Sequence, residues 1–454
     1  MNKKFEPGYH IRPPKGWLND PNGLSFFKGC YHVFYQYVPD NPNGGLKYWG
    51  HYRSVDLIDW EECPVMLSPD QDYDKNGVYS GSAIIKDDKM YLFYTGNVKK
   101  PGDYDYINSG REHNTVVAVS SDGFKIDEKK VLLYNADYPE GLSCHVRDPK
   151  VFEYENSYYM VLGARTRDSK GEVLVYESGD LYTWKHINTL KTDYDFGYMW
   201  ECPDLFKIDE DWILAVSPQG LKREKYRYRN IYSSGYFKVN GDFRKESTLT
   251  DYTELDEGFD FYAPQTFEHK GRRLMLAWMG MPDAEYTNPT VKDGWQHCMS
   301  LFRELYMIGG KLVQKPAEEY KALRIRSSKY KVEKELNLKT SNPFLEIRAD
   351  NIENGFYISI FDTLELSYDS EKQEFTMSHK SGADKGNAYG RTKRQVLINK
   401  LENLAVYLDA SCAEVFINNC TTVLSTRYYP ESFEEISFKQ RLEVEIYELK
   451  PTKV

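Results

Sequence analysis

A segment pattern that recurs five times between residues 20 and 279 constrains this chain more than any other feature of its sequence. Each copy opens on a small, polar or aromatic residue and runs through an apolar strand. It then turns on charged residues or glycine and continues into an aromatic-rich strand. The copies are DPNGLSFFKGCYHVFYQ from Asp20, SGSAIIKDDKMYLFYTG from Ser80, DPKVFEYENSYYMVLGA from Asp148, ECPDLFKIDEDWILAVS from Glu201 and YAPQTFEHKGRRLMLAWM from Tyr262. Eleven residues beyond the starts stand Tyr31, Tyr91, Tyr159, Trp212 and Arg273, so four of the five second strands open on an aromatic. The spacing predicts hairpin turns at Lys28-Gly29, Asp87-Asp88, Glu155-Asn156, Asp209-Glu210 and Lys270-Gly271, residue types that tolerate tight turns.

The starts lie 60, 68, 53 and 61 residues apart, enough for a four-stranded sheet per copy. Echoes of outer strands stand at SVDLIDWEE around Asp56 and ESGDLYTWKHI around Asp180. No amphipathic helical pattern is interleaved, which argues against a parallel α/β fold. The expected fold is therefore all-β: a five-bladed β-propeller over residues 1–315, whose radial repetition limits exposed strand edges. In such a ring the five repeat starts converge on one end of the central axis. Three of them, Asp20, Asp148 and Glu201, are carboxylates, and a crowded axis is a poor place for unpaired charge unless it has a use. Beyond residue 315 the pattern stops. PAEEYKALR (316–324) reads as a short helix or linker within a linker over 316–331, and short alternating strands from 332 to 454 predict a C-terminal β-sandwich.

Charge and cysteine usage narrow the partners. A formal net charge of −10 disfavours nucleic acid and anionic membranes. No run of 18 apolar residues occurs, and the lysines near the N-terminus precede no apolar segment, so neither a membrane span nor a secretory signal is expected. Seven cysteines without paired spacing fit reduced thiols and a cytoplasmic location. Neither a CxxC pair nor an HExxH motif is present, so no metal or other cofactor is expected.

At Trp17-Leu18-Asn19-Asp20-Pro21-Asn22-Gly23 the sequence resembles glycoside hydrolase family 32, the invertase and fructanase family. Arg147-Asp148-Pro149 and Glu201-Cys202 carry the same resemblance independently, and it extends over essentially the whole chain. It implies a five-bladed propeller with a C-terminal sandwich, and it implies roles. Asp20 matches the nucleophile, Glu201 the general acid/base and Asp148 the transition-state stabiliser. Asn19, Gln36, Trp49, Ser80 and Arg147 match positions that bind the fructosyl unit. Trp17, Leu18, Tyr79, Tyr262 and Trp278 are further binding candidates, the tryptophans as stacking platforms or as core residues.

A glycosidic bond leaves through an oxocarbenium-like transition state, so one carboxylate attacks while a carboxylic acid protonates the leaving oxygen. Retention requires the pair to lie roughly 5–5.5 Å apart. Within the family, Pro218 to Leu221, Tyr228 to Tyr236, Trp278 to Asp283 and Gly294 to Cys298 resemble the sucrose-6-phosphate hydrolases. The expected substrate is a small sugar, sucrose 6-phosphate or sucrose. The alternatives are an exo-acting fructan hydrolase and a non-catalytic carbohydrate-binding propeller. The basic stretch Lys222 to Arg229, together with Arg53 and Arg165, supplies candidate phosphate ligands. Three departures from the family pattern stand out: Phe302 in place of Pro, Tyr79 in place of Phe, and the segment REHNTVVAV from Arg111, which lacks the usual Tyr-Gln pair.

Overall fold

A computed structural model describes residues 3–352, 355–380 and 392–452. Its regular structure is almost entirely strand. Each repeat forms its own antiparallel sheet. Sheet I holds Gly16–Phe27, Cys30–Val38, Tyr48–Ser54 and Glu61–Leu67; sheet II holds Val78–Lys86, Lys89–Lys99, Arg111–Ser120 and Glu128–Leu133. Sheet III comprises Leu142–Tyr154, Ser157–Thr166, Gly171–Ser178 and Lys185–Leu190, and sheet IV runs from Met199–Ile208 through Asp211–Gln219 and Gly235–Gly241 to Ser247–Leu249. Sheet V orders Tyr262–His269, Arg272–Met279, Arg303–Ile308 and Lys311–Pro316. The first strands touch in a cycle, I against II, II against III, III against IV, IV against V and V against I. The short strand Trp295–Gln296, from the sheet V region, also pairs in parallel with Gly16 and Trp17 of sheet I.

The predicted hairpin turns fall where the spacing put them. Both central residues have positive φ at Lys28-Gly29, Asp87-Asp88, Glu155-Asn156 and Lys270-Gly271, the conformation that matches strand twist in two-residue hairpins. At the fourth turn only Asp209 does.

The remaining strands form two six-stranded sheets that enclose one apolar cluster, including Ile347, Ile358, Leu366, Val406 and Phe438. Residues 316–331, expected as a linker, carry a 3-10 turn over Glu318–Leu323 and most of the strand Arg324–Val332. That strand pairs along its length with Leu442–Leu449, so the second unit starts its sheet inside the expected linker. Six of its nine residues are Lys, Arg or Ser, four of them exposed on an edge strand, which hides it as a strand in the sequence. Among the described residues no helix is long and apolar enough to cross a membrane.

The two units are joined by a buried polar seam. Arg303, fully buried in sheet V, donates to Glu414 at 2.6 Å and to Asp256 at 3.0 Å. Glu414 also meets His10 Nε2 at 3.1 Å, while His10 Nδ1 lies 2.7 Å from Asp409. With a carboxylate at each nitrogen, His10 is an imidazolium. Burial opposes that charge, but Cys412, Asp409 and Glu414 outweigh it and push the His10 pKa up to about 10. Phe302, in place of the family's Pro, stacks on Trp60 beside this seam.

Removing one partner strands the others in a dry interior. Glu414→Ala is expected to cost about 3–5 kcal/mol, read as a lower unfolding midpoint in urea. His10 binds its proton more tightly folded than unfolded, so its stabilisation is complete below about pH 6.5 and fades as pH rises through about 10. The stability gap between the natural protein and His10→Gln should therefore narrow over that window, as measured by thermal melts from pH 6 to 10.

Candidate functional site

Strand residues alternate between faces, so adjacent side chains normally cannot serve one site. The first strands of the five sheets break that rule at the same place. Pairing slips between Leu18 and Pro21 in sheet I, around Ser80 in sheet II, and around Asp148-Pro149 in sheet III. In sheets IV and V it slips around Cys202-Pro203 and Ala263-Pro264. Three of these bulges, in sheets III, IV and V, contain a proline, which lacks the N–H a regular ladder needs, and in sheet I Pro21 follows the bulge directly. Asp148, Cys202 and Ala263, each before its proline, have φ of 64°, 47° and 51°. A bulge re-aims side chains. Asn19 and Asp20, and likewise Arg147 and Asp148, thereby reach a common cavity.

The shared proline also corrects the repeat register. Cys202 and Ala263, not Glu201 and Tyr262, are the counterparts of Asp148, and Glu201 and Tyr262 align with Arg147. The spacing count was one residue off in sheets IV and V, too little to change which end of the strand they occupy.

The cavity measures about 620 Å³ and is lined by Trp17, Asn19, Asp20, Gln36, Tyr79, Ser80, Arg147, Asp148, Glu201, Tyr262 and Trp278 among others. Two expected binding residues are elsewhere. Leu18 is fully buried in the core, on the opposite strand face from Trp17. Trp49 is fully buried between sheets I and II, where its indole N–H donates to the Tyr79 carbonyl at 3.0 Å. Both are apolar residues whose strand position points inward, and the resemblance carried no information on facing.

Asp20 is gripped on both oxygens. The Ser80 hydroxyl donates to Oδ2 at 2.6 Å and the Asn19 amide to Oδ1 at 3.1 Å. Asn19 cannot flip, because its Oδ1 already accepts from Trp17 Nε1 and Lys47 Nζ, both at 2.8 Å. Gln36 donates to Ser80 Oγ at 3.0 Å, which orients that hydroxyl toward Asp20. Burial raises the Asp20 pKa, opposed by Ser80 and Asn19.

Glu201 is held by four donor groups. Arg147 Nη2 and Nε reach Oε1 at 2.5 and 3.2 Å, while Tyr262 and Gln219 reach Oε2 at 2.6 and 2.9 Å. Asp148 Oδ2 accepts the Cys202 backbone N–H at 2.9 Å and lies 3.9 Å from Arg147 Nε. Burial pushes Asp148 up to about 7, against the pull of Arg147. The Cys202 thiol sits between two carboxylates, 3.8 Å from Asp20 and 3.7 Å from Asp148. Burial and those neighbours raise its pKa well above normal, which keeps it a thiol.

Several lining residues escaped the sequence reading. Lys47 stands over the Trp17 indole at 4.9 Å, and burial lowers its pKa to about 7. Arg111, His145, Gln219, Gln296 and His297 also face the cavity. Gln219, Gln296 and His297 lie inside segments that resembled the family, so the motif was visible although their placement was not. His145 sits two residues before Arg147 on strand spacing, the only local signal it offers, while Lys47 precedes the strand Tyr48–Ser54 and offers none. The candidate phosphate ligands are not brought into this cavity. Arg53 pairs with Glu61 at 2.7 Å, and Arg165 rests on the Tyr198 ring. Arg223 and Arg229 line an adjoining cavity with Lys393 and Arg394.

The family described as "Glycosyl hydrolases family 32 N-terminal domain" matches residues 10–316, and its C-terminal counterpart matches residues 312–450. The chain is 44% identical over 442 residues to a sucrose-6-phosphate hydrolase of Bacillus subtilis (strain 168), covering 93% of this chain and 88% of the relative. A sucrose-6-phosphate hydrolase of Salmonella typhimurium is 36% identical over 445 residues, with 95% and 90% covered. Among solved structures, the sucrose-6-phosphate hydrolase of Lactobacillus gasseri superposes with a TM-score of 0.91 at 29% identity, over 99% of this chain and 94% of that one. A β-fructofuranosidase of Bombyx mori gives 0.89 at 32% identity, over 100% and 96%. The chain is a glycoside hydrolase and belongs to family 32.

Proposed function

We propose that this chain is a retaining β-fructofuranosidase that hydrolyses sucrose 6-phosphate or sucrose to fructose and glucose 6-phosphate or glucose. Its five repeat sheets are read as the blades of a closed five-bladed propeller, supported by the cycle of contacts among their first strands. Its two six-stranded sheets are read as a β-sandwich. One observation carries the functional reading: carboxylates from three different sheets, Asp20, Asp148 and Glu201, line one cavity of about 620 Å³, a size suited to a disaccharide. The names of the relatives above supply the substrate class.

Each carboxylate has surroundings that suit a distinct role. Asp20, oriented by Ser80 and Asn19, attacks the anomeric carbon of the fructosyl unit as the bond to the leaving sugar breaks. Glu201 gives its proton to the departing oxygen and then takes one from the water that cleaves the fructosyl ester on Asp20. Its donors Tyr262, Gln219 and Arg147 hold it in place through both steps. Asp148, fixed by the Cys202 main chain, hydrogen-bonds sugar hydroxyls most strongly when the ring carries positive charge. Trp17 and Trp278 supply the apolar wall, with ring centroids 6.0 Å apart.

Asp20→Asn should lower kcat by about 10^4-fold while the melting temperature stays within a few degrees, since the amide keeps the shape of the carboxylate. Turnover near the natural rate would remove Asp20 from its role, and proton NMR of the first-released fructose checks retention. Ser80→Ala takes away the hydroxyl that favours the ionised form of Asp20. The acid limb of kcat/KM is therefore expected to move to higher pH; a pH profile in which it stays put would place the controlling group elsewhere.

A further inference from the structure

Resting on that reading, we propose that Arg111 binds the phosphoryl group of a phosphorylated leaving sugar, and so distinguishes sucrose 6-phosphate from sucrose. Arg111 opens the third strand of sheet II and lines the cavity next to His145 and Arg147. Its neighbours on the cavity wall are committed, and exposed Lys99, its partner across the sheet, lies 5.9 Å from the Tyr106 ring. Arg147 spends its guanidinium on Glu201 and on His145 Nδ1, 2.7 Å away. With Nδ1 accepting, His145 donates from Nε2 to the Tyr106 carbonyl at 3.0 Å, so the ring is neutral. Glu112, on the opposite face of the strand, pairs with Lys100 at 2.6 Å.

Arg111 itself forms no ion pair among the described residues, and its Nε is buried without a hydrogen-bond partner. Burial and the nearby Arg147 charge both work against its protonated form. A half-buried guanidinium with an open donor and a second cation beside it is costly in the empty site. An incoming dianion reverses that cost, and the planar fork of arginine matches phosphate oxygens in pairs. Position agrees with charge. Arg147 reaches from Glu201, which protonates the leaving oxygen, to His145, and Arg111 extends the same basic wall. A substituent on the leaving sugar therefore faces Arg111, while the fructosyl ring is engaged by Asp20. The adjoining cavity is the competing location. There Arg229 donates to the Glu224 carbonyl and Arg394 to Asn230, which leaves Arg223 and Lys393 as its exposed cations.

The test compares kcat/KM for sucrose 6-phosphate and for sucrose in the natural enzyme and in Arg111→Gln, Arg111→Lys and Arg223→Gln. Loss of a charge-assisted bond predicts that Arg111→Gln lowers the ratio of the two about 10- to 100-fold, and that Arg111→Lys retains part of it. Inorganic phosphate should also inhibit sucrose hydrolysis at least about 10-fold more weakly in Arg111→Gln. If the natural enzyme prefers the phosphorylated sugar and Arg111→Gln keeps that preference, or if Arg223→Gln is the variant that loses it, Arg111 is not the phosphate ligand. A natural enzyme without any preference overturns the phosphorylated-substrate reading itself, and this assignment with it.

Discussion

Three carboxylates inside one largely buried cavity are the constraint to which the rest of the structure answers. Each ion taken out of water costs several kcal/mol unless donors replace the lost hydration. Here replacement is nearly complete. Asp20 takes Ser80 and Asn19, Glu201 takes Arg147, Tyr262 and Gln219, and Asp148 takes a backbone amide and the nearby Arg147. Single donors are themselves held by further groups: Lys47 and Trp17 fix Asn19, Gln36 fixes Ser80, and His145 fixes Arg147. The result is a rigid set of acids, and burial raises the pKa of Asp20 against the pull of Ser80 and Asn19. Asp148, with few donors and deep burial, is pushed up to about 7.

Backbone irregularity makes this arrangement possible. A regular strand could offer only every second residue to the cavity. A bulge in each first strand, built around proline in three of the five sheets, lets neighbours share one site. The positive φ of Asp148 and Cys202 is strain of the kind that persists only where surrounding contacts enforce it. Five sheets in contact through these strands supply that enforcement.

The second unit is bound to the first through charge as well as apolar contact. Arg303, Glu414, Asp256, His10 and Asp409 form one continuous buried network across the boundary. The segment after Gln296 and His297, which face the cavity, continues directly to Cys298, packed against Cys412 of the second unit. Disturbance of the boundary thus lies one residue from the cavity wall.

Repetition with fixed hairpin spacing was enough, in the sequence alone, to determine an all-strand chain, five sheets and the positions of their turns, because strand period and turn chemistry are local properties. The same repetition marked Asp20, Asp148 and Glu201 as residues at equivalent ends of their strands. Facing was not legible. Leu18 stands between two cavity residues and Trp49 matches a binding position of the family, yet both point into the core, and the strand Arg324–Val332 read as linker because its partner, Leu442–Leu449, lies over a hundred residues away. Lys47, His145 and Arg111 entered the cavity through the packing of one sheet against the next, a long-range contact that no local pattern encodes. Which acid is gripped by which donor, and which cation is left without an anion, depends on distances between sheets, and those exist only once the chain has folded.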